Sequence, residues 1–531
     1  AVIGVAFRRS LVVIAIAAGI GLLIWLWGQR PREAAPEKGL DAAAPEAVVE
    51  ETSAPDLPFT DLTQAAGIDF VHFNGAYGDK LLPETMGGGV AFFDYDADDD
   101  PDLYVTCLGR NLLFRNEGKR FVLVEDGPDG GTWIEPETNK ERHSWSTGAA
   151  WFDADNDGDL DLVVVNYVKW SEKTNVKAYI EDNELAYTRP QLYEGDRPRL
   201  YLQQDHGWFT DATEGSGLEG ARDAKKIIPG KSMALCLDDY DGDGLVDLFV
   251  ANDTVQNFLF LNRGNAKFEE VAVAAGVGYD DNGTARAAMG IDSFSFDNGD
   301  RVSVLIGNFS EEPVSFFTVA RGGNEALLFR DDASRARVGQ PTLLPLTFGL
   351  IVRDLDLDGY EDFVLANGHI EPSVSKLKAE LQHKQSPQFF RNLQGRRFRD
   401  VSIDAGSGFQ QRFVGRGLAS ADFDGDGDLD LVFTANAGRA RLLRNDAPEG
   451  RVRVTVRVRQ PKHKNREALG AVVHVGGQRR TIRTGGSYLS QSELIAVFGV
   501  EAESGPAHVV WPDGTKQEFT YRPGAQLIER K

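Results

Sequence analysis

At 531 residues the chain is long enough for several domains, or for one large repeat domain with additions. Lys and Arg number 57 against 81 Asp and Glu, and the net charge of −24 argues against a nucleic-acid partner. Two cysteines, Cys107 and Cys236, exclude a disulfide scaffold. Both lie in or beside strand-like runs, the usual setting of buried free thiols.

In chain order, Arg8 and Arg9 precede an uncharged run from Leu11 to Trp27. As a helix these 17 residues reach about 26 Å, just enough to cross a bilayer core. Signal-peptide cleavage wants small residues directly behind the apolar run, and Trp25, Trp27, Gln29 and Arg30 stand there instead. The expectation is one uncleaved transmembrane helix within a membrane anchor at 1–28, with the bulk of the chain periplasmic or at the cell surface. Residues 29–57, rich in Ala, Pro and Glu, read as a flexible tether.

A repeat then begins. "FDYDADDDPDLYV" (93–105), "FDADNDGDLDLVV" (152–164), "DDYDGDGLVDLFV" (238–250), "RDLDLDGYEDFVL" (353–365) and "ADFDGDGDLDLVF" (421–433) share Asp-x-Asp-x-Asp-Gly-x-x-Asp followed by an apolar strand, with Asp99 replacing Gly in the first. A sixth copy, 295–308, keeps only Asp297 and Asp300, which puts metal there in doubt. Short carboxylates at positions 1, 3, 5 and 9 of a tight turn converge on one point, and Gly at position 6 allows the bend. The candidate ligands at these positions are Asp94, Asp96, Asp98 and Asp102; Asp153, Asp155, Asp157 and Asp161; Asp239, Asp241, Asp243 and Asp247; Asp354, Asp356, Asp358 and Asp362; and Asp422, Asp424, Asp426 and Asp430. Position 7 completes each set with Asp100, Asp159, Leu245, Tyr360 and Asp428. An all-oxygen set of this kind suits Ca²⁺ better than Mg²⁺, giving about five sites. An EF-hand is excluded, because position 12 is apolar in all five copies (Val105, Val164, Val250, Leu365, Phe433) and strands flank the loop.

Each loop is followed by a strand–turn–strand signature, as in "LLFRNEGKRF" (112–121) and "FFRNLQGRRFRDVS" (389–402). Four antiparallel strands per unit and six units predict an all-β protein built on a β-propeller over 58–446, with a seventh, cryptic blade left open in 270–350. The last unit lacks its closing strand, whereas "PFTDLT" (58–63) is a strand without a unit. The two are expected to pair, 58–63 antiparallel to 440–445, with Phe59 between the first and last blades. The tail, 447–531, reads as a small separate β domain carrying 14 Lys and Arg against 8 Asp and Glu. Its strand "RVRVTVRVR" (451–459) alternates Val and Arg, so that the arginines form either a solvated face or a surface for docking on acidic groups.

The loops and "LFRN" turns resemble FG-GAP/VCBS propeller repeats of the kind found in integrin α-subunits. "NREALGAVVHV" (465–475), "GGSYLSQSELIAVFGV" (485–500) and "VVWPDGTKQEF" (509–519) are similar to an ASPIC/UnbV domain. The combination, together with "ANGHIEP" (366–372), resembles the cartilage acidic protein family and its bacterial relatives. The resemblance implies a calcium-loaded, secreted or membrane-tethered propeller engaged in adhesion or interaction, without an established enzyme activity.

No His-Glu-x-x-His, Gly-x-Ser-x-Gly or phosphate-cradling loop occurs in the sequence. His369 and Glu84 read as turn-holding groups. Two classes stay open. One is a membrane-tethered module binding a protein or glycan at the cell envelope, or serving as a subunit of a membrane complex. The other is a carbohydrate-active enzyme, lyase-like, with its site on the central propeller face.

Overall fold

The computed structural model describes residues 59–531 except 69–70, 88, 94, 97–101, 117–120, 136–138, 181–182, 205–207, 224–225, 322–325 and 448–450. The expected anchor at 1–28 and tether at 29–57 fall outside the described residues. Among the described residues no helix is long and apolar enough to cross a membrane.

Six four-stranded antiparallel sheets repeat one propeller-like plan. Each opens with a strand that runs into a loop: Gly89–Phe93, Ser146–Phe152, Ser232–Asp238, Ala288–Phe294, Thr347–Arg353 and Gly415–Ala421. These first strands lie side by side from sheet to sheet around a common axis. Their spacing is close enough to need glycine, since a Cβ on Gly349 would stand 2.5 Å from the carbonyl oxygen of Arg416 in the next sheet. The second strands, such as Asp161–Asn166, Asp247–Asn252 and Asp362–Asn367, are buried along their whole length. Burial on both faces is why they read as unbroken apolar runs. The divergent stretch within 270–350 folds into one such sheet, Ala288–Phe294, Ser303–Asn308, Ser315–Arg321 and Leu328–Asp331.

The sixth sheet borrows its fourth strand from the start of the repeat region. Phe59–Asp61 pairs antiparallel with Arg441–Asn445, Phe59 opposite Asn445 and Asp61 opposite Leu443. Thr60 Oγ1 donates to Asp446 at 2.6 Å, so the chain enters the propeller beside its exit into the tail. Phe59 does not sit between the first and last sheets. It packs on Phe389 of the fifth sheet and on Phe409, at centroid distances of 5.9 and 5.3 Å. The strand alternates, Phe59 buried and Thr60 exposed, and Gly406 leaves the room beside the Phe59 backbone that turns the ring toward the fifth sheet.

The tail forms two sheets of its own. Val452–Arg459 lies between Ala496–Val500 and the parallel strand Gly524–Glu529. Gln478–Thr481, Val472–Val475, Gly505–Val510 and Lys516–Tyr521 make the second. Between them lies a core of Val454, Val456, Val473, Phe498, Val509 and Trp511, which runs without a break into Trp151, Leu160 and Leu162 of the second propeller sheet.

Phe59 is 2% exposed at the seam. Phe59→Ala is expected to cost about 3–5 kcal/mol, the range for a buried Phe. Urea unfolding that leaves the midpoint unchanged would show that the borrowed strand does not hold the ring.

Candidate metal centre

Two backbone reversals shape the four aspartate loops that lie among the described residues. Position 6 is left-handed, with φ of 93° at Gly158, 89° at Gly244, 94° at Gly359 and 92° at Gly427. So is position 4, at Asn156, Gly242, Leu357 and Gly425, with φ between 56° and 81°. With both bends in place the chain brings positions 1, 3 and 9 together. Asp153, Asp155 and Asp161 form one such group, as do Asp239, Asp241 and Asp247, Asp354, Asp356 and Asp362, and Asp422, Asp424 and Asp430. In each group one carboxylate oxygen per residue lies within 4.8 Å of the others.

The remaining expected ligands are placed differently. The position 5 carboxylates accept the amide of position 7, Asp157 from Asp159 at 3.0 Å, Asp243 from Leu245 at 2.9 Å, Asp358 from Tyr360 at 3.0 Å and Asp426 from Asp428 at 3.1 Å. Position 7 lies outside the convergent groups, and Asp159 and Asp428 face Lys464 and Arg453 instead. In the first loop Asp94, Asp98, Asp100 and the Asp102 side chain are outside the described residues, and Asp96 is exposed. The degenerate fourth loop puts Ser295, Asp297, Gly299 and Ser303 at positions 1, 3, 5 and 9, and closes on itself through Ser295 Oγ to the Gly299 carbonyl at 2.7 Å.

The donor set fits a hard cation. At position 1, Oδ2 accepts the amide of the position 6 glycine at 3.1 Å in Asp153 and Asp422 and at 3.0 Å in Asp354. The second oxygen, Oδ1 of Asp153, Asp354 and Asp422, is buried with no hydrogen-bond partner. A buried carboxylate oxygen left bare is costly, and three of them at equivalent places mark where a cation would bond.

Position 9 has a second task that the spacing did not reveal. Asp161, Asp247, Asp362 and Asp430 each accept the amide of position 2 on one oxygen, at 2.8–3.2 Å. The other oxygen accepts the backbone amide of Gln203, Asn262, Asn392 or Asn445 on the third strand, at 2.7–2.9 Å. The side-chain amides of these four residues donate to Tyr95, Ala154, Phe296 and Leu355, the position 2 carbonyls of the preceding sheet, at 2.8–3.2 Å. The Asn of the "FFRN" signature, with its counterparts Asn262 and Asn445, read from sequence as part of the turn, is therefore an inter-sheet tie. Its recurrence as Asn or Gln at one place in five units, Asn116 included, was the available signal.

The basic tail seats on the loop ends. Arg453 meets Asp426 at 3.0 Å and Asp428 at 3.2 Å, Arg483 meets Asp238 at 3.2 Å and Asp292 at 2.8 Å, and Lys464 pairs with Asp159. The Gly499 amide donates to Asp354 Oδ2 at 3.2 Å, and a Cβ at Gly499 would collide with the Leu357 carbonyl. Of the two readings of the Val/Arg strand, docking on acidic groups describes Arg453, whereas Arg457 and Arg459 pair with Glu493 and Glu467 inside the tail.

From the tail, residues 483–490 enter the axis. Thr484 Oγ1 donates to the Trp151 carbonyl at 2.8 Å, the Gly486 amide to Leu235 at 2.8 Å and the Ser487 amide to Ile291 at 2.6 Å. Ser487 Oγ donates to Leu418 at 2.7 Å and accepts from the Leu350 amide at 3.2 Å. Five sheets thus hold one segment, and Tyr488 ends it, fully buried against Phe348 at 5.0 Å. Beyond it Tyr187, from the long connection of the second sheet, donates to Glu84 at 2.9 Å and takes Glu371 on its amide at 3.1 Å. Glu84 is buried and also accepts the Leu81 amide at 3.1 Å. His369 accepts the Glu371 amide at 3.0 Å, and burial pushes its pKa down to about 4. Both residues hold turns, as their sequence context indicated.

Burial pushes Asp153 up to about 7, Asp161 to about 8, Asp428 to about 8 and Asp430 to about 6. It also raises Asp247, Asp354 and Asp362 well above the ordinary range. The metal-free fold therefore binds more protons than the unfolded chain above pH 4, and its stability falls as pH rises through these values. Melting of chelator-treated protein is expected to move to lower temperature between pH 5 and pH 8; a rise over that interval would contradict the placement of these carboxyls.

Family models match parts of the chain. Residues 94–164 and 354–433 match the FG-GAP-like repeat family, 414–454 the FG-GAP repeat, and 461–530 the ASPIC and UnbV family. Cartilage acidic protein 1 of Xenopus tropicalis is 27% identical over 276 residues, covering 50% of this chain and 40% of that protein. The human protein is 27% identical over 280 residues, covering 50% and 39%. The chain thus matches well under half the length of these relatives. Among solved structures, an Agrocybe aegerita lectin described as recognising non-reducing terminal N-acetylglucosamine aligns with TM-score 0.38 and 13% identity over 69% of this chain and 81% of its own. The Dos1 propeller aligns with TM-score 0.31 and 11% identity over 87% and 97%. The chain joins FG-GAP repeats to a C-terminal ASPIC/UnbV domain and is a distant relative of cartilage acidic protein 1.

Proposed function

We propose that the protein is a six-bladed, calcium-loaded propeller held at the outer side of a membrane by its N-terminal apolar segment, where it binds a protein or glycan partner. The observation that carries this reading is the set of four Asp groups at equivalent blade connections, three of which hold a bare, buried position 1 oxygen. A metal that is repeated with the blades is a structural metal, and the surface it stiffens is the working part. Asp153, Asp155 and Asp161 and their counterparts would hold the ion, which supplies positive charge and no reaction step. Shallow all-oxygen sites of this type bind Ca²⁺ with Kd on the order of 10⁻⁴–10⁻³ M, a range filled outside the cytoplasm. The lyase-like alternative needs an open site at the axis. Thr484 to Tyr488 occupy that axis, and Glu84 and His369 are spent on turns, so the binding reading is preferred.

At 2 mM Ca²⁺ such sites add on the order of 0.6–1.8 kcal/mol each to stability. Chelation is expected to lower the melting temperature, with Ca²⁺ restoring it better than Mg²⁺. Crosslinking from native membranes should recover a partner whose yield falls with chelator. Melting indifferent to chelator would remove the structural role of the loops.

A further inference from the structure

The outer face of the tail's four-stranded sheet carries a second kind of donor set. His474 and His508 stand directly opposite each other on Val472–Val475 and Gly505–Val510. Their rings are stacked, with centroids 4.4 Å apart and planes 9° from parallel. Glu518 is opposite His508 on the next strand, Lys516–Tyr521. Residues in register share a face, so His474, His508 and Glu518 form one row across three strands. Val473, Val475 and Val509 point the other way into the core, while the two histidines are half-buried and Glu518 is exposed. Solvent and ions can reach this row.

We propose that His474 and His508, supported by Glu518, bind one divalent transition-metal ion of the zinc or copper class. Imidazole nitrogen suits Zn²⁺, Cu²⁺ and Ni²⁺, whereas Ca²⁺ prefers the all-oxygen loops, so the two sites sort metals by ligand type. With metal–nitrogen bonds of about 2.0–2.1 Å, two imidazoles on one tetrahedral ion place their nitrogens about 3.3 Å apart. As stacked, the in-plane lone pairs of the two rings run in parallel planes. The rings must turn out of the stack about their side-chain torsions to aim at one ion, which directly opposed residues with Cβ atoms about 4.5–5.5 Å apart allow. Glu518, one strand further along the same row, would swing from Lys516 toward the histidines to add an oxygen ligand, leaving a position for water. Lys516, 3.7 Å from Glu518, and Arg479, opposite His474, oppose a cation here. Arg479 is engaged by Asp238 at 3.3 Å, and Asp300 of the fourth loop acts on His474 with the favourable sign. Affinity in the micromolar range is expected.

The test uses the full chain with millimolar Ca²⁺ present, titrated with Cu²⁺ and followed by electron paramagnetic resonance and calorimetry. One equivalent with nitrogen hyperfine coupling from two imidazoles is expected. His474→Ala or His508→Ala should weaken binding at least tenfold and remove the two-nitrogen signal, with Glu518→Gln weakening it less. An oxygen-only spectrum in the wild type, or a two-nitrogen signal that persists in either alanine variant, would overturn the proposal. Should an alanine variant fail to fold, zinc protection of the wild type decides. His474 and His508 should resist diethylpyrocarbonate when Zn²⁺ is bound, and modification undiminished by Zn²⁺ counts against the site.

Discussion

A single carboxylate, at position 9 of each loop, carries more of this architecture than its place in a metal motif suggests. Asp247 is a clear case, with one oxygen on the Tyr240 amide inside its loop and the other on the Asn262 amide of the third strand. Asn262 then hands the connection to the preceding sheet through the Ala154 carbonyl. Loop geometry, strand pairing and sheet-to-sheet packing are thereby one network of hydrogen bonds to a charged group, the strong kind. The fourth unit bears this out by loss. Its position 9 is Ser303, and the place corresponding to Asn262 is Val319, so the tie and the position 9 carboxylate disappear together.

The tail completes the electrostatics. The loops gather carboxylates on one face of the propeller, and the tail is the basic part of an acidic chain. Arg453, Lys464 and Arg480 each reach a different loop, and Arg483 reaches Asp238 and Asp292 at the inner strands. Charged side chains seldom fix a domain by themselves, because desolvation offsets attraction. Here the core shared by Trp151 and Val454 and the backbone bonds of 484–487 hold the two parts, and the charges set the register.

That docking has a functional consequence. The centre of a propeller is where pockets usually form, and in this chain five sheets close on Gly486, Ser487 and their neighbours. What stays available is the periphery: the outer surfaces of the sheets, the long connection at 167–198, and the exposed face of the tail sheet. A binding scaffold is consistent with that distribution.

The repeats, the loops, the strand plan and the borrowed seam strand were all legible in sequence, because each is a local matter. Alternating carboxylates, a bend-forming glycine and an apolar run lie within one loop and its strand, and "PFTDLT" stood out as a strand without a unit. The exclusion of an EF-hand followed from position 12 and the strand-like flanks. Two features were decided only by tertiary structure. Phe59 turned to the fifth sheet because Gly406, far along the chain, leaves space there. The tail filled the axis because its fit depends on strands of five separate units meeting around one segment. Sequence spacing reports neighbours along the chain, and long-range packing is set by shapes that exist only once the sheets have assembled.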